Sequence, residues 1–192
     1  MPQIVEETYY VGAKERIERL GLTPLVCEIR SVVTGFPLLV EERVDANGRA
    51  VVRKLIDEQF GKLGGWTRNV AGDIDWMKCK VVNGTRVCIG VEVRVSARGH
   101  RLVMDMIHLY SAFREGRIDV GLVIVPSDKL GRFLTDRAPC MSDAKRHAHA
   151  ARLEDWSLVL LAIEHDGPGP PLAKQAKRAP GALHRSRKHR LE

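Results

Sequence analysis

The chain has 192 residues, 44% of them hydrophobic, and no apolar run approaching 18 residues, so it reads as one soluble globular domain with a sizeable core and without a membrane-spanning helix. Its formal net charge is +7, but residues 167–192 hold seven Lys/Arg and one acid. The basicity that points to nucleic acid is therefore largely a property of the C-terminal end, and the remainder is close to neutral.

The opening Met1-Pro2-Gln3-Ile4-Val5-Glu6-Glu7 lacks the apolar stretch of a secretory signal. The four cysteines (27, 79, 88, 140) show no Cys-x-x-Cys spacing, which argues against structural zinc. A reduced, cytoplasmic protein is the expectation. Residues 13–20 read as a short helix closed by Gly21, and residues 25–33 as an extended segment. Residues 36–44 fit either period, and Asp45-Ala46-Asn47-Gly48 is a turn. From Arg49 the apolar positions Val52, Leu55, Ile56 and Phe60 recur at helical spacing until Gly64-Gly65, and a short strand follows over 66–70.

Residues 72–96 then form two β-rich runs around Asn83-Gly84, the strongest short-range signal for a two-residue hairpin. With those two as the loop, Val82 faces Thr85, Cys79 faces Cys88 and Asp75 faces Glu92, the last as a non-hydrogen-bonded pair with Cβ atoms about 4.5–5.5 Å apart. Residues 73, 75, 77 and 79 share one face with 88, 90, 92 and 94; Ile74, Trp76, Ile89, Val91, Val93 and Val95 line the other, a core surface. Like charges directly opposed are destabilising. Losing either carboxylate should stabilise the protein, unless a cation lies between them. Hard cations such as Mg²⁺ favour carboxylate oxygens, and such an ion can activate water and neutralise phosphate charge. The bland alternative is a salt-bridged hairpin screened by solvent or by Arg94. Asp73 is opposite Arg94 on the same count, as its ion-pair partner or as the metal ligand in place of Asp75 if a bulge shifts the register. Cys79 and Cys88 lie close enough to be joined, but two reduced thiols are expected in the cytoplasm.

Beyond the hairpin, Leu102, Met106, Leu109, Tyr110 and Phe113 mark an amphipathic helix that stops at Gly116. Residues 119–125 are a near-continuous apolar run read as a strand buried on both faces. Ser142 can cap a helix to about Arg152, and residues 157–163 form a second buried strand parallel to the first. Gly167-Pro168-Gly169-Pro170-Pro171 is read as the end of the globule, which leaves 1–166 as the folded domain and 167–192 as a basic, disordered tail. His147 and His149, two apart on a helix, point to different faces and make a poor metal pair. Asp136, Arg137 and Asp166 fall in loops, as DNA contacts or as solvent-facing turn residues.

Asp75 followed by Glu92-Val93-Arg94 on the next strand resembles the bipartite motif of the PD-(D/E)XK nucleases, and the surrounding order of elements is similar to their common core. More narrowly, four segments resemble type II restriction endonucleases of the Bgl II and Bam HI group. They are Val91-Glu92-Val93-Arg94, residues 117–127 (Arg-Ile-Asp-Val-Gly-Leu-Val-Ile-Val-Pro-Ser), Leu134-Thr135-Asp136-Arg137, and residues 158–164 (Leu-Val-Leu-Leu-Ala-Ile-Glu). The resemblance implies an α/β restriction-endonuclease-like core, a central mixed sheet flanked by helices. It implies Mg²⁺-dependent hydrolysis of double-stranded DNA by a homodimer. Asp75 and Glu92 match the metal-binding carboxylates, and the Val93 carbonyl is a further ligand. Arg94 stands where most of the superfamily has lysine; it stays protonated, so it can steady phosphate charge but cannot act as a base. A residue of the preceding helix also reaches such sites, and Glu58 is the candidate, with Asp57 behind it. Two other readings stay open: a DNA-binding relic of the fold that does not cut, and a repair or recombination nuclease that reads structure rather than sequence.

Overall fold

In the computed structural model of the chain, which describes residues 1–70, 74–95, 99–135, 138–153 and 155–174, a six-stranded mixed sheet separates two helical layers. Its strands are β1 (Gln3–Tyr9), β3 (Thr67–Val70), β4 (Ile74–Val82), β5 (Thr85–Val93), β6 (Val120–Pro126) and β7 (Leu158–Glu164); β2 (Leu39–Val40) and β8 (Gly167–Pro168) form a separate parallel pair. The order across the main sheet is β1-β7-β6-β5-β4-β3. β5, β6 and β7 run parallel, and β1 and the β3–β4 pair extend the two sides antiparallel. This is the α/β architecture expected from the sequence.

The hairpin register is the one set by Asn83-Gly84. Both residues have positive φ (50° and 79°), as a tight primed turn requires, and Val82 pairs with Thr85, Cys79 with Cys88 and Trp76 with Val91. Cys79 and Cys88 are joined in a disulfide, not reduced as expected; at this non-hydrogen-bonded pair the Cα atoms are 4.1 Å apart. The β4–β5 ladder stops at Trp76/Val91. Below it, strict alternation no longer governs β4, and Ile74 packs with Leu102 and Met106 instead of on the Trp76 side.

Helices α1 (Ala13–Arg19), α2 (Thr23–Thr34) and α3 (Arg49–Lys62) cover one face, and α4 (Gly99–Arg114) and α6 (Met141–Ala150) the other. The short α5 (Asp128–Phe133) follows β6 directly and adds Leu130 to the first face. The α2 segment was expected to be extended. Leu25, Val26, Ile29, Val32 and Val33 are buried on a helical stripe, Pro24 occupies the first turn, and burial of that stripe outweighs the strand preference of the β-branched residues. Helix α6 is capped by Cys140 and Asp143, not by Ser142, whose amide and hydroxyl go to Asp128. β1 was not foreseen. Glu7 on it takes both arms of Arg30 from α2 at 2.9 and 2.8 Å.

The packed chain also continues past the expected boundary at residue 166. Asn47, fully buried, donates to the carbonyls of Glu41 and Phe133 and accepts from the amides of Glu41 and Leu172. Leu172 packs on the core. Asp166 is a structural loop residue, accepting from Leu38 N at 3.0 Å and pairing with the N-terminal amine. Asp73, Asp136, Arg137 and the chain beyond 174 lie outside the described residues.

Gly121 on β6 is where the sheet admits Trp156: a Cβ there would lie 2.3 Å from Trp156 Cη2. Gly121→Ala is expected to lower stability by about 1–3 kcal/mol, because a fully packed ring has no room to retreat. The urea midpoint against the wild type measures this.

Candidate active site at the end of the β4–β5 hairpin

Strand β5 alternates across the sheet, with Val91, Val93 and Val95 in the α1–α3 core and Gly90 and Glu92 toward α4. A Cβ at Gly90 would lie 3.1 Å from Leu109 and Ile118, so α4 sits close on this side of the strand. Parallel pairing with β6 continues through Arg94 N, which donates to Ile124 O at 2.7 Å. The carboxyl end of β5 and the start of β4 thereby come together at one rim of the sheet. Helix α3 approaches this rim from one face and α4 from the other.

Asp75 is largely buried and well partnered. Its Oδ2 accepts from Val93 N at 2.9 Å and from Arg53 Nη1 at 3.0 Å, and Oδ1 lies 3.0 Å from Arg53 Nη2. Arg53 Nη1 also donates to the Val93 carbonyl at 2.7 Å, and its Nε donates to Asp57 at 3.0 Å. Asp57 is fixed in turn by Trp76 Nε1 at 2.9 Å and by Arg68 at 3.0 Å. Glu92, with no exposure to solvent, pairs through Oε2 with Arg94 Nη2, while its Oε1 has no hydrogen-bond partner among the described residues. Arg94 Nη2 is 3.7 Å from Asp75 Oδ2, and its Nε is 2.5 Å from Asp105 Oδ2 on α4.

Four carboxyl groups, those of Asp57, Asp75, Glu92 and Asp105, thus crowd around the guanidinium groups of Arg53 and Arg94, and the electrostatics divide the last three. Burial pushes Glu92 upward and the Asp75 charge adds to it, to about 9, against the pull of Arg94. Burial also opposes the charge on Asp75, but the Arg53 hydrogen bonds outweigh it and hold that carboxyl below its ordinary range. Asp105 is raised, by burial first. Such a separation between neighbouring carboxyls is a mark of functional sites.

The structure brings Asp75, Glu92, Val93 and Arg94 together. It does not bring Glu58: that side chain is half-exposed, 3.6 Å from Lys54 on the outer face of α3. The α3 residues that do reach the rim are Arg53 directly and Asp57 behind it. Arg53, at i−4 from Asp57 and five before Glu58, lies on the inward stripe next to Val52 and Ile56, and that spacing was the available signal. Asp105 was also missed. It occupies the Leu102–Met106 stretch of an amphipathic helix, where a lone acid among apolar positions is the visible anomaly.

The donor set suits a hard divalent cation: two carboxylates, a main-chain carbonyl, and in Glu92 Oε1 a buried oxygen without a partner. Mg²⁺ needs no more than one or two carboxylates, because it keeps several waters. No group of three or more His, Cys, Asp or Glu side chains that could hold a metal ion is found among the described residues.

Compared with known protein families, residues 36–175 match the family described as restriction endonuclease BamHI. No curated protein matches the chain. The match spans β2 through the end of the described chain and includes every residue of the carboxylate–guanidinium cluster. The chain belongs to the BamHI restriction endonuclease family: it is a type II restriction endonuclease, a hydrolase whose substrate is DNA.

Proposed function

We propose that the protein cleaves double-stranded DNA at a specific sequence, using Mg²⁺ held by Asp75, Glu92 and the Val93 carbonyl. The observation that carries this reading is the buried Glu92, raised in pKa and with Oε1 unpartnered, beside a charged Asp75 at the rim of the sheet. When bound, the ion would lower the pKa of an attacking water and neutralise charge on the phosphate. The chain's own residues would do the rest. Asp75 is aimed by Val93 N and Arg53. Arg94, oriented by Asp105, presents a guanidinium that can donate to the phosphate oxygens and cannot take up a proton. The apolar β5–β6–β7 centre behind Glu92 keeps bulk water out and strengthens each of these charges.

Palindromic DNA sites mirror two-fold protein symmetry, so the acting form is a homodimer in this reading. In this reading it works in the cytoplasm, where its DNA substrate is found. The unit that carries the activity comprises residues 1–174. The basic residues beyond it add sequence-independent phosphate attraction.

Digestion of a large duplex with Mg²⁺ or with EDTA tests this. Discrete fragments that require Mg²⁺ are expected. A smear would remove sequence specificity, and preferential cutting of branched or mismatched duplexes would favour a structure-selective nuclease. The two arginines already paired with the carboxylates favour a second reading, a DNA-binding protein of this fold that does not cut. Duplex binding without cleavage in any divalent cation would establish it.

A further inference from the structure

We propose that Arg53 is a built-in competitor of the divalent cation, a positioning residue that closes the site in the metal-free protein and must give up two oxygens before an ion can bind. The inference rests on the metal site assigned above to Asp75, Glu92 and the Val93 carbonyl. Arg53 Nη1 donates at once to Asp75 Oδ2 at 3.0 Å and to Val93 O at 2.7 Å, two of the three groups in that donor set. Its Nη2 covers the other Asp75 oxygen at 3.0 Å. A single guanidinium therefore supplies positive charge where the oxygens converge, and the remaining donor, Glu92 Oε1, is left without a partner. Asp75 Oδ2 already accepts from Val93 N as well as from Arg53 Nη1, so both of its lone pairs are taken while Arg53 stays, and the guanidinium charge repels an ion from the oxygens beside it.

Arg53 is also equipped to let go. Its Nε is anchored on Asp57, one turn along the same helix, and Asp57 is held independently by Trp76 and Arg68. When the metal takes Asp75 and the Val93 carbonyl, Arg53 keeps a charged partner, so its release does not strand a buried cation. Asp57 therefore belongs to the site as the anchor of Arg53, and not as a ligand. The consequence is an apparent metal affinity reduced by the fraction of molecules in which Arg53 has swung clear.

The test is Mn²⁺ binding without DNA, read from the electron paramagnetic resonance of the free ion, for wild type, Arg53→Gln and Glu92→Gln. Arg53→Gln is expected to bind Mn²⁺ about tenfold more tightly than wild type, since the competitor is gone. Its thermal midpoint in EDTA should fall, because Asp75 loses its counter-ion. A residue that merely braced the site would show the opposite sign, weaker Mn²⁺ binding on removal, and either that result or an unchanged affinity overturns the proposal. Glu92→Gln separates the two levels. If wild type binds Mn²⁺ and Glu92→Gln does not, the metal site stands, and Arg53→Gln alone decides on competition. If wild type and Arg53→Gln both fail to bind, the metal site itself is wrong and the competitor role falls with it. Should Arg53→Gln not fold, Arg53→Lys retains one charge while losing the fork. Tighter Mn²⁺ binding by that variant supports competition, and equal or weaker binding overturns it.

Discussion

Glu92→Gln and Asp75→Asn should each reduce single-turnover cleavage of duplex DNA by at least about 10³-fold, roughly 4 kcal/mol of transition-state stabilisation, yet they should move stability in different directions. Two opposed acids read from sequence lead to the expectation that losing either one relieves repulsion. The partners in the folded protein divide the pair instead. Glu92 is buried and unpartnered at Oε1, and burial and the Asp75 charge raise it to about 9 against the pull of Arg94 on Oε2, which favours its protonated form near neutral pH. A neutral amide of the same shape leaves the urea midpoint unchanged or raises it. Asp75 is the charged member, accepting from Val93 N and from both arms of Arg53. Asp75→Asn leaves Arg53 with Asp57 as its counter-ion but takes the charged acceptor away from Val93 N and both Nη atoms of Arg53, and is expected to cost about 2–3 kcal/mol. Urea titrations in EDTA and cleavage time courses in Mg²⁺ check both halves. Variants that cut like wild type, together with cleavage that survives EDTA, would reduce the hairpin to a structural element.

Arg94 carries the second large effect. Read as a departure from the lysine common in the superfamily, it invites the expectation that Arg94→Lys is harmless or even beneficial. Its contacts argue for the opposite result. Nη2 serves Glu92 and approaches Asp75 at 3.7 Å, while Nε faces Asp105 across the gap to α4. An ammonium on a flexible stem meets one or two of these carboxylates and has no fixed plane. Arg94→Lys should therefore slow single-turnover cleavage by more than tenfold, the equivalent of one charged hydrogen bond of about 1.5–3 kcal/mol. Arg94→Met goes further. It removes the charge from among three acids and should destabilise the protein by about 3 kcal/mol, at the low end for a broken buried pair because Glu92 can keep its proton. Asp105→Asn should share the rate defect of Arg94→Lys but not the stability loss of Arg94→Met. Equal cleavage rates for wild type and Arg94→Lys would show Arg94 to be a tolerated substitution and not a fitted part of the site.

Much of the frame was legible in the chain because it is written in local chemistry. Asn83-Gly84 can adopt the two positive φ values of a primed turn, and that turn alone sets which residues of β4 and β5 face each other. The apolar runs of β6 and β7 admit no polar face, so they must lie at the centre of a sheet covered on both sides. The α/β layering follows from the second of these facts; the first carries the register as far as Trp76 and Val91, and Asp75 is then placed beside Glu92 by the bond from Val93 N. What the local chemistry could not decide was which way an apolar run with two compatible periods would fold. Residues 25–33 are rich in valine and isoleucine, and only the sheet face waiting beneath them makes the helical stripe the better burial. The same holds for the pairing of Cys79 with Cys88, which the register permits but which the expected compartment argued against.

The charges of the site mark the sharper boundary. Arg53 precedes Asp75 by 22 residues and Asp105 follows Arg94 by 11, and no periodicity links either pair. They meet because α3 and α4 pack on opposite faces of the sheet and both reach the rim where β4 begins and β5 ends. Sequence singled out the two carboxylates as candidates, since a two-residue turn fixes register along most of the strands it joins. Only the tertiary structure decided their counter-ions, and with them which acid is charged. A pKa inside a protein depends on every charge and every layer of solvent removed around it, and those distances exist only once the layers have closed.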